Sequence, residues 1–294
     1  MPEIPDLSVY VDALNERVAG ATLESIVLAS PFLLRTVEPK IEALEGLQVV
    51  KVSRLAKQLV FALEQDYFFV IHLMISGRLQ WQDTYKPPPK RNGLAAFRFS
   101  SGTLTFTEAS KKKRASLKLI KHQRNLEKLN PGGLEVQNIT LAEFAERLNS
   151  VSHTLKRALT DQRVFAGIGN AYSDEILHAA RLSPFKHSAK LSEAEVTALY
   201  EACVRVLADW SVLLDKKAKG KFPTKVTAFH PEMKAHGKYK QPCLMCGSPI
   251  QRIVYAENEA NYCAKCQTGG KLLADRSLSR LLKDSWPKTI DDLE

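Results

Sequence analysis

No apolar run in this chain of 294 residues approaches the roughly 20 residues of a membrane-spanning helix, which excludes a transmembrane segment of ordinary length. The first twenty residues carry Glu3, Asp6, Asp12 and Glu16 and no apolar core of signal-peptide length. No secretory signal is therefore evident, and the cytoplasm is the expected compartment. Cysteine is scarce. Of five, four form two CxxC pairs and Cys203 stands alone in a helical pattern, which argues against a disulfide framework and for a bound metal. No internal repeat is present, so repeat arrays drop out as well. What remains is ordinary globular composition, 45% hydrophobic and 25% charged, with length for about two domains.

Charge is plentiful but uneven. The formal net charge is +10 and the pI is near 9.3. Segment 110–130 holds eight Lys/Arg against Glu127 alone, and segment 216–240 holds eight Lys against Glu232 alone. Each nets +7, so the rest of the chain nets −4. A single basic run is commonly a solvated surface. Two such runs in an otherwise acidic chain point to a polyphosphate partner, because binding releases condensed counterions.

Residues 6–19 read as a helix with Leu7, Val11, Leu14 and Val18 on one face and Gly20 as a stop. Short strand-like runs follow: ATLESIVLA, LQVVKV, QLVFALE, YFFVIHL, LQWQD, AAFRFS and TLTFT, separated by Gly-, Asp-, Asn- and Pro-rich breaks. Many short strands without interleaved helices indicate an antiparallel sandwich or barrel. Segment 108–131 reads as a basic loop or linker closing at Pro131-Gly132-Gly133. Helical signals then take over. Thr140 with Glu143 and Ser192 with Glu195 form capping boxes before LAEFAERLN and EAEVTALYEACVRVLADW, with HTLKRALTDQ and NAYSDEILHAA between them. Residues 271–286 read as a short closing helix.

Cys243-Leu-Met-Cys246 is followed by sixteen residues and then Cys263-Ala-Lys-Cys266. Two CxxC knuckles at this separation supply four thiolates for a tetrahedral Zn²⁺ site. Four cysteines leave no open coordination position, so the expected cofactor is one structural zinc, with IQRIVYAENEANY forming a β-hairpin between the knuckles. Ala166-Gly-Ile-Gly-Asn170 sits between two helical patterns, and Asn170 is expected to cap the second. Exposed amides at a helix N-terminus make a natural phosphate site, though a plain helix–turn–helix connection explains the same spacing.

The opening MPEIPD bears on chemistry. Methionine before proline is normally excised, leaving Pro2 with a free secondary amine that can add to an aldehyde carbon. The positive end of the following helix disfavours protonating that amine, and Glu3 beside it is a candidate proton donor or acceptor. The bland alternative is an inert terminus feeding a helix.

These elements stand in a particular order: MPEIPD, then Arg54-Leu-Ala-Lys57 in an early strand, His72-Leu-Met-Ile-Ser-Gly-Arg78, LTDQRVFAGIGNAYSDEIL at 159–177, and CLMCGSPI…NYCAKCQ at 243–267. In that order, along nearly the whole length, the chain resembles the formamidopyrimidine-DNA glycosylase/endonuclease VIII family. The resemblance implies an α+β enzyme of two domains. An N-terminal antiparallel β-sandwich with a leading helix precedes a helix–two-turns–helix domain with a zinc finger, and DNA lies in the cleft between. In boundaries, this reads as a catalytic domain over 1–130, a helical DNA-binding domain over 131–235, and the finger and tail over 236–294. The implied chemistry is base-excision repair with abasic-site lyase activity. Pro2 attacks C1′ of the damaged nucleotide, Glu3 assists ring opening and proton transfer, and Lys57 joins them in the catalytic set. Lys57 and Asn170 bind phosphates beside a nucleotide turned out of the stack, and β-elimination or β,δ-elimination follows. Arg78, Lys111, Lys112, Lys113, Arg114 and Asn258 complete the expected DNA-binding set. The expected partner is damaged duplex or abasic-site DNA, bound by a monomer that associates with the bacterial nucleoid.

The chain also departs from the family. Asn258 stands where the finger's hairpin tip usually carries arginine, and Ile75 takes the place of a gap-filling methionine, with Met74 just before it. The later loop reads TEASKKKRASL where the family has an acidic-Pro-Arg-Arg-Phe-Gly type of sequence. These changes favour, as the competing reading, a non-catalytic or lyase-only lesion-binding protein on the same scaffold. An unrelated zinc-ribbon protein would explain the charge and the cysteines but not the N-terminal motif.

Overall fold

The computed structural model describes residues 1–224, 226, 229–255, 258–274 and 287–293. Most of the expected closing helix, 275–286, lies outside the described residues. The chain divides into two compact units, 1–131 with 210–227, and 132–209 with 228–294.

The first unit opens with α1 (Ile4–Val18), which buries Leu7, Tyr10, Leu14 and Val18. Two four-stranded antiparallel sheets follow. One has the order β1 (Leu23–Leu28), β6 (Gly93–Phe99), β7 (Gly102–Glu108), β5 (Gly77–Gln82). The other has the order β2 (Val49–Leu55), β3 (Gln58–Leu63), β4 (Tyr67–His72), β8 (Ser116–Lys121). Alternate residues of both sheets enter one core. Phe61, Phe69 and Phe97 stack in series across it, with ring centroids 4.2 and 5.1 Å apart. Burying each such ring contributes roughly 1.5–3 kcal/mol. β3 and β4 are apolar on both faces because Val60, Ala62, Phe68 and Val70 form a second cluster, covered by Leu126 of α2 (Gln123–Glu127). The architecture is therefore the sandwich. Phe222 and Val226 also belong to this unit, the Phe222 ring lying tilted 5.6 Å from Tyr10.

The basic linker expected over 108–131 needs correction, because Ser116–Lys121 is a full strand paired to β4. Leu117 and Leu119 are buried while Lys118 alternates with them. Lysine at the outward positions kept the net charge high and concealed a period-2 pattern.

The second unit is helical. It contains α3 (Leu141–Asn149), α4 (Leu155–Thr160), α5 (Asn170–Ala179) and most of α6 (Glu193–Ala218). Both expected capping boxes form: Thr140 N–H donates to Glu143 (2.8 Å) and Ser192 N–H donates to Glu195 (2.9 Å), each with a return bond. Phe144 stacks on Phe165 at 4.7 Å and meets Tyr200 at 5.4 Å, joining α3 and α6 to the loop before α5. The hairpin β9 (Ile250–Tyr255) and β10 (Asn258–Cys263), followed by α7 (Ala264–Thr268), completes the unit. Among the described residues, no helix is long and apolar enough to cross a membrane.

Candidate functional site

At the head of α1, Pro2 is buried and Glu3 is only 2% exposed. The Glu3 N–H donates to Asp6 Oδ2 at 2.9 Å, which fixes the first turn. Lys57 is 7% exposed. It sits not in a strand, as the sequence pattern suggests, but with Ala56 in the two-residue turn joining β2 to β3. Ala56 takes a positive φ of 50°, and its carbonyl accepts a 2.8 Å bond from Arg54 Nη1. Arg78 lies in β5, its guanidinium tied to the carbonyls of Gly77 and Ile75. These groups converge electrostatically on the chain terminus. Burial pushes its amine below the ordinary value, Glu3 and Asp6 oppose that shift, and Lys57 and Arg78 reinforce it. His72, at the end of β4, is driven down to about 4 by burial, Lys57 and Lys118, so at neutral pH it adds no charge.

The turn between β4 and β5 presents Ile75, 60% exposed, and Met74 takes a φ of 52° to make that turn. A Cβ at Gly77 would lie 2.2 Å from the Leu73 carbonyl oxygen, so only glycine closes it. Lys111, Lys112, Lys113 and Arg114 are all exposed. The loop that carries them is anchored by Glu108, a buried carboxylate absent from the expected site. It accepts from the amides of Arg114 and Ala115 (both 3.2 Å) and from the Ser76 hydroxyl (3.4 Å). The Lys113 ammonium donates to the Glu108 carbonyl. One carboxylate thus holds the basic loop against the turn that carries Ile75.

In the second unit, Gly169 is extended and occupies the N-cap of α5, and Asn170 is the first helical residue. Asn170 is therefore not the cap. Gln162 is the second residue the sequence pattern did not single out. Its Nε2 donates to the carbonyls of Thr160 (2.9 Å) and Ile168 (2.8 Å), and its Oε1 accepts from Gly167 N–H (2.8 Å). With Gly167 at a φ of 79°, these bonds shape the turn that leads into α5. The signal was available, since Gln162 lies inside the LTDQ…GIGN run, but spacing does not say what a glutamine will bond.

The Sγ atoms of Cys243, Cys246, Cys263 and Cys266 lie within 4.8 Å of one another. A tetrahedron with Zn–S bonds of about 2.3 Å has edges near 3.8 Å, so the donor set fits one zinc ion. Met245 N–H points at Cys243 Sγ (3.4 Å), Cys266 N–H at Cys263 Sγ (3.5 Å), and His178 Nε2 lies 3.3 Å from Cys243 Sγ. Such contacts stabilise metal-bound thiolates. Asn258 begins β10 and is exposed. On the neighbouring strand, Arg252 stacks 4.7 Å over Tyr239 and lies 3.9 Å from Glu259.

A family model for the formamidopyrimidine-DNA glycosylase N-terminal domain matches residues 1–114, one for that family's H2TH domain matches 131–219, and one for a zinc finger found in FPG and IleRS matches 240–269. The formamidopyrimidine-DNA glycosylase of Desulfitobacterium hafniense (strain DSM 10664 / DCB-2) is 30% identical over 278 residues, covering 91% of this chain and 100% of the relative. The MutM (Fpg) protein from Thermus thermophilus superposes with a TM-score of 0.77 at 30% identity, over 90% of this chain and 98% of its own. The Lactococcus lactis Fpg, solved non-covalently bound to DNA containing an AP site, superposes with a TM-score of 0.79 at 25% identity, over 90% of this chain and 99% of its own. On the ordered motifs, the sandwich, the four-cysteine hairpin and these likenesses, the chain belongs to the formamidopyrimidine-DNA glycosylase family.

Proposed function

We propose that this protein is a DNA repair glycosylase that also cleaves at abasic sites, through a Schiff base formed by Pro2 after removal of Met1. The observation that carries the reading is the buried terminus, where Glu3, Asp6, Lys57 and Arg78 act on one amine. The same burial and the same two cations act on the Pro2 nitrogen once Met1 is gone, favouring its neutral, nucleophilic form against the pull of Glu3 and Asp6. Its lone pair attacks C1′, and the C1′–base bond breaks with its electrons leaving on the base, which takes a proton. Glu3 handles protons at the sugar as the ring opens. The iminium then acidifies C2′, loss of that proton expels the 3′ phosphate, and water releases the protein. Lys57 and Asn170 hold backbone phosphates, and Arg78, the Lys111–Arg114 loop and Asn258 add contacts. Cys243, Cys246, Cys263 and Cys266 hold the zinc, which shapes the finger. The division at 130 and 235 into catalytic, helical and finger parts, and a cytoplasmic, nucleoid-bound location, belong to the same proposal.

Borohydride trapping on DNA with one abasic site tests it. Protein shown by mass to lack Met1 should yield a covalent one-to-one complex, and Pro2→Gly should weaken or reroute it. Absence of any trapped species from such protein would overturn the Schiff-base assignment. A second reading, lyase-only or non-catalytic lesion binding, is favoured by Asn258 and the basic loop. Trapping without base excision selects its lyase-only form.

Salt dependence tests the polyanion argument separately. Replacing Lys111 and Lys112 with alanine should reduce the log–log salt slope of duplex binding by about 0.9 for each phosphate no longer neutralised. An unchanged slope would remove this loop from the DNA-binding set.

A further inference from the structure

Four segments of the second unit meet at one buried carboxylate. Asp174 lies one turn after Asn170 on α5 and is 1% exposed. Its Oδ1 accepts from Lys156 Nζ on α4 at 2.5 Å, and that ammonium, itself 3% exposed, also donates to the Asn170 carbonyl at 2.6 Å. Its Oδ2 faces His236 Nδ1 at 2.8 Å and accepts from Asn261 Nδ2, on β10 of the zinc hairpin, at 3.1 Å. Asn261 Nδ2 also reaches Glu259 Oε1 at 3.1 Å, and Glu259 in turn lies 3.9 Å from Arg252. The neighbouring Glu175 accepts from the amides of Lys234, Ala235 and His236 at 2.8–2.9 Å, so the segment before the first cysteine knuckle is held to the same helix.

The network is poorly explained as a device for stability. Replacing a buried ion pair with apolar packing of equal volume is often neutral or stabilising. Asn261 is 1% exposed, and among the described residues its Oδ1 finds no hydrogen-bond donor, so it is only half satisfied. What the arrangement does supply is direction. One carboxylate ties the hairpin to α5, and through Lys156 it holds the carbonyl of the residue that begins α5. Hydrogen bonds to charged groups are stronger and more directional than neutral ones.

We propose that Asp174 is a positioning residue of the phosphate grip, fixing the Asn170 turn and the zinc hairpin as one rigid anion-binding assembly. The proposal rests on the reading of Asn170 as a phosphate contact. It implies that the two DNA-facing elements of this unit lose register together when Asp174 is altered, even though Asp174 touches no DNA.

The test uses the full-length, zinc-loaded protein and an abasic-site duplex. Asp174→Asn should raise KM about tenfold and leave kcat within about twofold. Because Asp174 acts partly through Asn170 and partly through the hairpin, the double variant Asp174→Asn/Asn170→Ala should bind about threefold, not tenfold, more weakly than Asn170→Ala alone. A folded, zinc-loaded Asp174→Asn with unchanged KM would overturn the proposal, as would the full tenfold loss on top of Asn170→Ala in the double variant. If Asp174→Asn does not fold, Asn261→Leu decides by KM, since it removes the hairpin's bond to Asp174, together with Asn261's own bond to Glu259, and keeps the Lys156–Asp174 pair. Its expected effect is a rise of about threefold in KM, and no rise rejects the proposal. An Asn170→Ala variant with normal KM instead identifies the phosphate reading as the one that failed, and the positioning role falls with it.

Discussion

Glu3→Gln should cut excision of a damaged base from duplex DNA by roughly 10²–10⁴-fold, while slowing cleavage at a preformed abasic site far less. The substitution conserves volume and keeps a polar side chain in a site that is 2% exposed, so packing and the Glu3 N–H bond to Asp6 are retained. What it removes is a carboxyl able to give and take a proton beside the chain terminus. Base departure with opening of the sugar ring needs that transfer, because negative charge on the leaving base and on the ring oxygen must be neutralised. An abasic site is already an aldehyde in equilibrium with its ring form. The Pro2 amine can add to it without breaking a glycosidic bond. The two substrates are compared in single-turnover assays with protein confirmed to lack Met1. Equal losses on both would reject the assignment of Glu3 to base departure, and no loss on either would remove Glu3 from the mechanism.

Replacing Cys263 or Cys266 with serine should reduce zinc to well under one ion per chain and weaken DNA binding by at least about tenfold. The reason is size. The hairpin carries only two small buried clusters, Ile250 with Cys243 and Cys263, and Ile253 with Tyr262 and Ala264, which is little apolar surface to hold two short strands together. Metal ligation supplies the difference, and in isolated finger peptides a structural zinc contributes about 10–16 kcal/mol at neutral pH. Loss of the metal also frees Asn258, and it detaches Asn261 from Asp174, so both the hairpin and the turn it supports lose their setting. The first unit has a separate core built from both sheets and α1, and its unfolding transition should persist. Metal analysis gives the zinc content, and calorimetry resolves the transitions. Intact protein that contains no zinc when prepared without chelators, or a serine variant that binds DNA as tightly as the wild type, contradicts this account.

Local patterns carried the elements whose period is uninterrupted. The strands from ATLESIVLA to TLTFT, the helix at the N-terminus and the two capping boxes were legible because hydrogen bonding and burial there follow near neighbours. β8 was not, because outward lysines dominate a strand whose inward leucines are few. Asn170 was read as a cap, but Gly169 takes that position, since an extended glycine satisfies the geometry without using a side chain.

The sequence by itself determined the order of the motifs, the family they belong to, the zinc ligands and the identity of the residues at the chain terminus, since each depends on residue type and spacing. Only the tertiary structure decided what Glu108, Gln162 and Asp174 do. Each is a polar residue whose partners come from distant segments or from backbone amides that carry no signature in the sequence: Glu108 with Ser76, Gln162 with Ile168 and Gly167, Asp174 with His236 and Asn261. A buried carboxylate or amide must find such partners to offset its desolvation, and which partners are within reach is settled only when the sheets and helices have packed.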